Sequence, residues 1–184
     1  MKKLLCAFVA GLAAMNASAQ VEKGSWLLSA TTNFGYVSYT PTSGGSNLSI
    51  FNLGLKSGYF VGQNFSLGVN LDYVSSSGSS SSSTYTTVGV FLRGYANNVF
   101  FGAGYNSTSA TGSTTNYGSI PFEVGYAAFI TRNISFEPAL TYTIATDSDQ
   151  GGLPGYAGIP FSAKSAFGVR FGFSLYLGRP AVAE

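Results

Sequence analysis

The sequence predicts an all-β protein, an eight-stranded antiparallel up-and-down β-barrel that spans a membrane. Three observations support this prediction. Apolar side chains recur at every second position in eight successive runs. Only 9% of the residues are charged, against about 25% in an ordinary soluble domain. The face opposite the apolar one is small and polar, which suits a lumen filled by side chains better than a surface in water.

The first residues have the features of a cleaved export signal. Two lysines precede an apolar run over 4–15, and Ala-Ser-Ala follows at 17–19. This order is typical of a secretory signal peptide, and we predict cleavage after Ala19. A retained membrane anchor is the alternative, but the run is shorter than the ~20 residues that a spanning helix needs. The predicted regions are a signal peptide, 1–19, and a barrel, 20–184.

Eight alternating runs follow between about residues 24 and 177, and each has one apolar face. Alternation is clearest in the last run, Ser165–Leu177. The predicted outward residues, run by run, are Trp26, Leu28, Ala30, Phe34 and Tyr36; Phe51, Leu53, Leu55 and Tyr59; Phe65, Leu67, Val69, Leu71 and Tyr73; Val88, Val90 and Leu92; Val99, Phe101, Ala103 and Tyr105; Ile120, Phe122, Val124, Tyr126 and Ala128; Ile134, Phe136, Leu140, Tyr142 and Ile144; and Val169, Phe171, Phe173, Leu175 and Leu177. Apolar positions that recur at two rather than at three and four exclude helices.

The connections between the runs alternate between short and long. The short links are 60–64, 96–98 and 131–133, and the long ones are 40–47, 75–84, 106–116 and 145–164. Membrane barrels have short periplasmic turns and long outer loops, so both termini are predicted on the periplasmic side. The serine run Ser75–Ser83 has little apolar surface, and we predict that it is a mobile loop tip.

Two prolines interrupt the predicted strands. Pro121 lies in the sixth run and Pro138 in the seventh. Each lacks the N–H that a ladder bond needs, so we expect a bulge or a local loss of pairing at both.

A tyrosine stands at or near the top of each strand that rises toward a long link. These residues, Tyr36, Tyr73, Tyr105 and Tyr142, are 37, 32 and 37 positions apart. Tyrosine hydroxyls belong at the level of lipid headgroups, so the four are predicted to form an outer aromatic girdle. The alternative is that aromatic residues are simply common in strands.

Six charged residues share the inward parity of the strands, three positive and three negative: Lys56, Asp72, Arg93, Glu123, Glu137 and Arg170. Because an eight-stranded barrel is only wide enough for side chains to fill it, we expect these residues to pair with one another. Counted from the short links, Lys56, Arg93 and Glu137 are expected low in the lumen and the other three higher. We expect loss of Arg170 to leave a buried carboxylate unpaired, at a cost of about 3–5 kcal/mol.

Catalytic and metal-binding patterns are weak. The chain has no histidine and no Gly-x-Ser-x-Gly motif, so nucleophilic catalysis lacks its base. For the two carboxylates Glu123 and Glu137, a structural role is favoured over acid–base chemistry. Asp147-x-Asp149-x-Gly151 is similar to the start of a calcium loop, but the last ligand position is Gly158. The formal charge of +2 comes from Lys2 and Lys3, which leaves no basic patch for nucleic acid. We therefore predict no enzyme activity, no cofactor and no metal.

The export signal, the eight alternating strands and the unequal links resemble the small outer-membrane barrel family of the OmpA transmembrane domain and OmpX. The resemblance covers about residues 24–177 and is one of pattern. Two features depart from the family: the last strand ends at Leu177 rather than at a terminal phenylalanine, and a tail, 178–184, follows. The resemblance implies a bacterial outer-membrane location, a monomer, contact with membrane lipid and lipopolysaccharide, and biogenesis through periplasmic chaperones and the barrel assembly machinery.

Two functions fit this fold. The leading prediction is a barrel with a filled polar lumen and a structural or interaction role through its long loops. The alternative is a narrow channel for small or apolar solutes. A soluble lipocalin-like barrel is disfavoured because its apolar lumen and charged exterior are the reverse of what the sequence shows.

Overall fold

The computed structural model describes residues 22–32, 36–39, 48–78, 82–112, 114, 116–146 and 165–178. The predicted signal peptide, the calcium-like loop and the tail beyond Gly178 lie outside these residues. The described residues form eleven strands: β1 Trp26–Thr32, β2 Tyr36–Tyr39, β3 Leu48–Gly62, β4 Phe65–Gly78, β5 Ser82–Ala96, β6 Val99–Ala110, β7 Asn116–Tyr126, β8 Ala128–Phe129, β9 Ile134–Phe136, β10 Ala139–Ala145 and β11 Ser165–Leu177. Within the described part of the chain, no helix has the length and apolar character needed to cross a membrane.

The strands close into an antiparallel barrel. Each strand pairs with its neighbour in the order β1-β3-β4-β5-β6-β7-β10-β11, and β11 pairs with β1. The short strand β2 extends the first barrel strand, and β8 and β9 extend β7 and β10. The eleven segments therefore make eight barrel strands, and the predicted fold class is confirmed.

The register of the pairs staggers the barrel. A path that follows paired residues once around the barrel from Leu177 returns to β11 at Phe167, ten residues away. Such a stagger tilts the strands against the barrel axis. Inward residues that are equally far from a link therefore do not lie at one height in the lumen.

The two prolines remove pairing locally and leave the register unchanged. Between β6 and β7 the pairing lapses beside Pro121, yet the pairs on both sides, Ala103 with Phe122 and Asn106 with Ser119, keep one register. Pro138 separates β9 from β10, and its carbonyl accepts a hydrogen bond from the Tyr126 N–H at 3.0 Å. The expected local loss of pairing is thus observed.

The short links lie where they were predicted, although β3 continues to Gly62 and shortens the first one. Two of the long links are shorter than predicted. Asn64 and Asn97 turn the chain with positive φ angles of 60° and 54°, a conformation that asparagine tolerates. At the other end, β4 continues to Gly78 and β5 begins at Ser82, so most of the serine run is paired strand. The prediction of a long loop there was wrong because ladder hydrogen bonds use the backbone and need no apolar side chain. Strand β6 likewise continues to Ala110.

The two faces of the barrel have the predicted polarity. Many large apolar side chains on the outside are exposed, from 38% for Phe171 to 67% for Phe167. Others that were predicted outward, such as Val169 and Leu175, are partly covered, and Ala128 is buried, so its predicted exposure was wrong. The inward residues between them, such as Leu27, Asn52 and Arg93, are buried. An apolar exterior around a polar interior is the arrangement of a transmembrane β-barrel, the kind found in bacterial outer membranes.

Candidate functional site: the barrel lumen

Arg93 is the centre of the charged residues in the lumen. It extends inward from β5 with no exposed surface. Its Nε and Nη2 atoms donate to Glu123 Oε1 at 3.0 and 2.8 Å, and its Nη1 donates to Glu137 Oε2 at 2.8 Å. One guanidinium therefore holds two carboxylates, one on β7 and one between β9 and β10, a use that its planar set of donors permits.

Glu123 accepts hydrogen bonds from three cations. Besides Arg93, the Lys56 Nζ donates to its Oε2 at 2.8 Å, and the Arg170 Nη2 donates to the same oxygen. The side chain fits because its cross-strand neighbour is Gly102, where a Cβ would lie 2.6 Å from the Glu123 Cγ. These three cations therefore pair with carboxylates as expected, but they share one of them.

Glu137 is held by hydroxyl groups as well as by Arg93. Ser135 Oγ and the Tyr176 hydroxyl donate to its Oε1 at 2.9 and 2.6 Å. The single hydroxyl proton of Tyr176 is donated to Glu137, so in the 3.1 Å bond between the two tyrosines Tyr95 is the donor. The Tyr95 hydroxyl in turn accepts a hydrogen bond from Arg93 Nη1 at 3.2 Å. This closed ring of hydrogen bonds compensates the burial of both charges.

An aromatic layer packs between this ring and the short links. Phe60, Phe100 and Tyr176 have no exposed surface, and Phe129 contacts Tyr176 with ring centroids 5.2 Å apart. The Arg93 Cζ lies 4.2 Å from the Phe100 ring centroid, a cation–π distance. We call this region the lower cluster and define it by Arg93, Glu137, Tyr95, Tyr176, Phe60, Phe100 and Phe129.

Asp72 is separate from the other five charges. Among the described residues it lies within 4 Å of no cation, and it accepts a hydrogen bond from Asn70 Nδ2 at 3.0 Å. Asn70 Nδ2 also contacts Asn106 Oδ1, at 3.2 Å. The expectation that all six charges pair with one another is wrong for Asp72, because the cations of the lumen converge on Glu123 and Glu137.

A cavity of about 120 Å³ lies above the shared carboxylate, toward the long links. We call it the upper cavity. Its floor is formed by Lys56, Glu123 and Arg170, and its wall includes Asp72 and Phe91. The other polar residues that line it are Asn52, Asn70, Tyr85, Thr87, Asn106, Thr108, Ser119, Thr141 and Thr143. The lumen thus has a packed lower part and a hollow, polar upper part.

The predicted aromatic girdle is on the outer face wherever its side chains are described. Tyr73, Tyr105 and Tyr142 are 42%, 51% and 44% exposed. For Tyr36 the structure describes only the backbone, which pairs with Phe51. At the other end, the Trp26 and Tyr59 rings contact each other edge to face at 5.2 Å. The level of these rings at the membrane interfaces stays a prediction.

Several residues of the lower cluster, and Ser135 beside it, were not predicted from the sequence. Tyr95, Phe60 and Ser135 share the inward parity with Arg93, Lys56 and Glu137, so the same count of alternate positions identifies them.

The described residues contain no group of three or more His, Cys, Asp or Glu side chains that could hold a metal ion.

No protein-family model matches the chain, and no curated protein matches its sequence. Solved structures of outer-membrane barrels are similar to it in outline. The crystal structure of OprG from Pseudomonas aeruginosa is 13% identical with a TM-score of 0.49, and covers 86% of this chain and 98% of its own. The solid-state NMR structure of AlkL in lipid bilayers is 18% identical with a TM-score of 0.46, over 91% and 96% of the two chains. A de novo designed transmembrane β-barrel is 11% identical with a TM-score of 0.47, over 86% and 99%.

Proposed function

We propose that the protein is a monomeric barrel of the bacterial outer membrane, closed in its lower lumen, with a structural or interaction role at its outer end. The observation that carries this proposal is the lower cluster. An arginine with no exposed surface binds two carboxylates there, and a layer of buried aromatic rings lies directly beneath it. A solute could pass only if these groups separated, which would leave buried charges unpaired.

The exterior supports the membrane location. Its exposed apolar side chains are continuous around the barrel, and in water so large a patch would favour aggregation. Lipid and lipopolysaccharide are accordingly the proposed contacts of this surface. The outer end, where the long links leave the barrel, is the proposed contact region for partners. We also propose no enzyme activity, because the described charged side chains of the lumen are held in ion pairs and hydrogen bonds.

Conductance of the purified protein in planar lipid bilayers tests the closed lumen. We expect no steady conductance from the unmodified protein. A variant in which Arg93, Glu137 and Tyr176 are all replaced by alanine serves as the matched control, because it removes the lower cluster and should admit ions if it folds. Reproducible channels in the unmodified protein would favour the alternative function, a narrow channel.

Membrane fractionation tests the location independently. The protein should separate with outer membranes and migrate differently on gels before and after heating, as a stable barrel does. Recovery as a soluble periplasmic protein would contradict the proposal.

A further inference from the structure

Two cations on the floor of the upper cavity have hydrogen-bond donors that the described residues leave unused. An ammonium group has three N–H donors and a guanidinium group has five. Lys56 and Arg170 each donate to Glu123 Oε2, and among the described residues neither has another acceptor. Both residues line the cavity, so their remaining donors are available to a molecule inside it.

The charges around the cavity are also locally unbalanced. In their ionised forms Lys56 and Arg170 on the floor carry two positive charges, and Glu123, the carboxylate that they share, carries one negative charge. Asp72 brings the total to zero, but its hydrogen-bond partner is Asn70 and it forms no ion pair with a described cation. The floor therefore has an excess of one positive charge at a point where two cations share a single oxygen.

From these observations we propose that the upper cavity binds a small monovalent oxyanion of the carboxylate class, held by Lys56 and Arg170. A guanidinium binds a carboxylate through two parallel hydrogen bonds, and a lysine adds a charge-assisted one. An excess of one charge, with Asp72 on the same wall, favours a monoanion over a dianion.

The size of the cavity agrees with this class of ligand. A volume of about 120 Å³ is well above the ~10–15 Å³ that a single water molecule needs. An anion with three or four non-hydrogen atoms fits this space, and the Phe91 ring on the wall offers an apolar contact for a methyl group. Such a ligand is bound above the lower cluster and does not need to pass it, so this inference does not depend on whether the lumen conducts.

The test is an NMR titration of the ¹⁵N-labelled protein in detergent micelles with sodium acetate at constant ionic strength. Acetamide, which has the same shape without the charge, is the matched probe. We expect saturable shifts of the Arg170 side-chain N–H signals and of the Gly102 and Asn106 amides with acetate, at a Kd of about 1 mM. Acetamide should cause no saturable shift. Equal responses to the two probes would overturn the proposal, as would tighter binding of the phosphate dianion.

Variants of the floor and wall make the test specific. Arg170→Gln should weaken acetate binding at least about tenfold, because it removes the charge and most of the donors. Asp72→Asn should strengthen binding by removing a like charge. Arg132→Gln is the control, since Arg132 lies exposed in the link between β8 and β9 at the other end of the barrel. If Arg170→Gln does not fold, Lys56→Met gives the same comparison. Unchanged affinity in a folded floor variant would contradict the assignment.

Discussion

The lower cluster and the upper cavity share strands β3, β5, β6 and β11 and differ in how their charges are satisfied. In the lower cluster Arg93 and Glu137 are surrounded by side chains that pack against them or form hydrogen bonds with them. Their own side chains are 0% and 2% exposed. On the floor above, Lys56 and Arg170 share one oxygen of Glu123 beside a cavity. The comparison indicates that the lower half stabilises the barrel, whereas the upper half has unused binding capacity.

The largest effect is expected from Arg93, because its loss deprives two carboxylates of a partner. We expect Arg93→Met to lower the free energy of unfolding by about 3–5 kcal/mol, since Glu137 has no other cation within 4 Å among the described residues. Urea unfolding in lipid vesicles measures this loss. The double variant Arg93→Met with Glu137→Gln should be more stable than Arg93→Met alone, because the unpaired charge is gone. A double variant that is less stable by the sum of both single effects would contradict this explanation.

Next in size is the hydroxyl of Tyr176. It donates to a buried carboxylate at 2.6 Å, and hydrogen bonds to charged groups contribute about 1.5–3 kcal/mol. Tyr176→Phe should therefore lower the free energy of unfolding by about that amount. The matched variant in the upper part is Thr108→Val, which removes the 2.7 Å bond between the hydroxyls of Thr87 and Thr108 beside the cavity. We expect a smaller loss of unfolding free energy for Thr108→Val. An equal loss would mean that hydrogen bonds stabilise the upper part as strongly as the lower one.

Much of this architecture could be predicted from the sequence. The period of two assigns each residue to a face, so most of the described exterior, the inward position of all six charges and the local effect of both prolines were predicted correctly. Partners inside the lumen could not be predicted, because they depend on the stagger of the register around the whole barrel. That stagger, together with the reach of Arg93 and Arg170, brings both to Glu123 and leaves Asp72 with Asn70.

Strand ends were the other feature that the sequence did not indicate. The serine run has no alternation of polarity to mark it as strand, yet Ser75, Ser76 and Ser77 pair with both β3 and β5. Their pairing follows from their neighbours, because two strands that continue side by side satisfy each other's backbone groups.

One glycine in each half of the lumen allows a third comparison, between a site with rigid neighbours and a site where a neighbouring side chain can move. A Cβ at Gly125, in the lower half, would lie 2.7 Å from the Pro138 carbonyl oxygen and would contact the Phe100 ring. Neither can move easily, so Gly125→Ala should cost about 1–3 kcal/mol through overpacking. At Gly54, in the upper half, a Cβ would meet the side chains of Asp72 and Thr31. Asp72 borders the cavity and can turn into it, so Gly54→Ala should cost less in the same unfolding assay. The reverse order would contradict the division of the lumen.

The smallest effect on stability is expected from Arg170, for which the sequence alone predicted a large one. Its carboxylate partner, Glu123, keeps Lys56 at 2.8 Å and two donors of Arg93 after Arg170→Ala, so no buried charge is left unpaired. The change also removes one of two cations that share a single oxygen. We expect a loss of about 1 kcal/mol or less in the free energy of unfolding, against about 3–5 kcal/mol for Arg93→Met. Glu123→Gln is the matched control, because it leaves Lys56 and Arg170 without a carboxylate among the described residues and should cost clearly more than Arg170→Ala. A loss from Arg170→Ala as large as that from Arg93→Met would mean that the excess positive charge of the upper floor is itself needed for stability, and the distinction between the two halves of the lumen would be wrong.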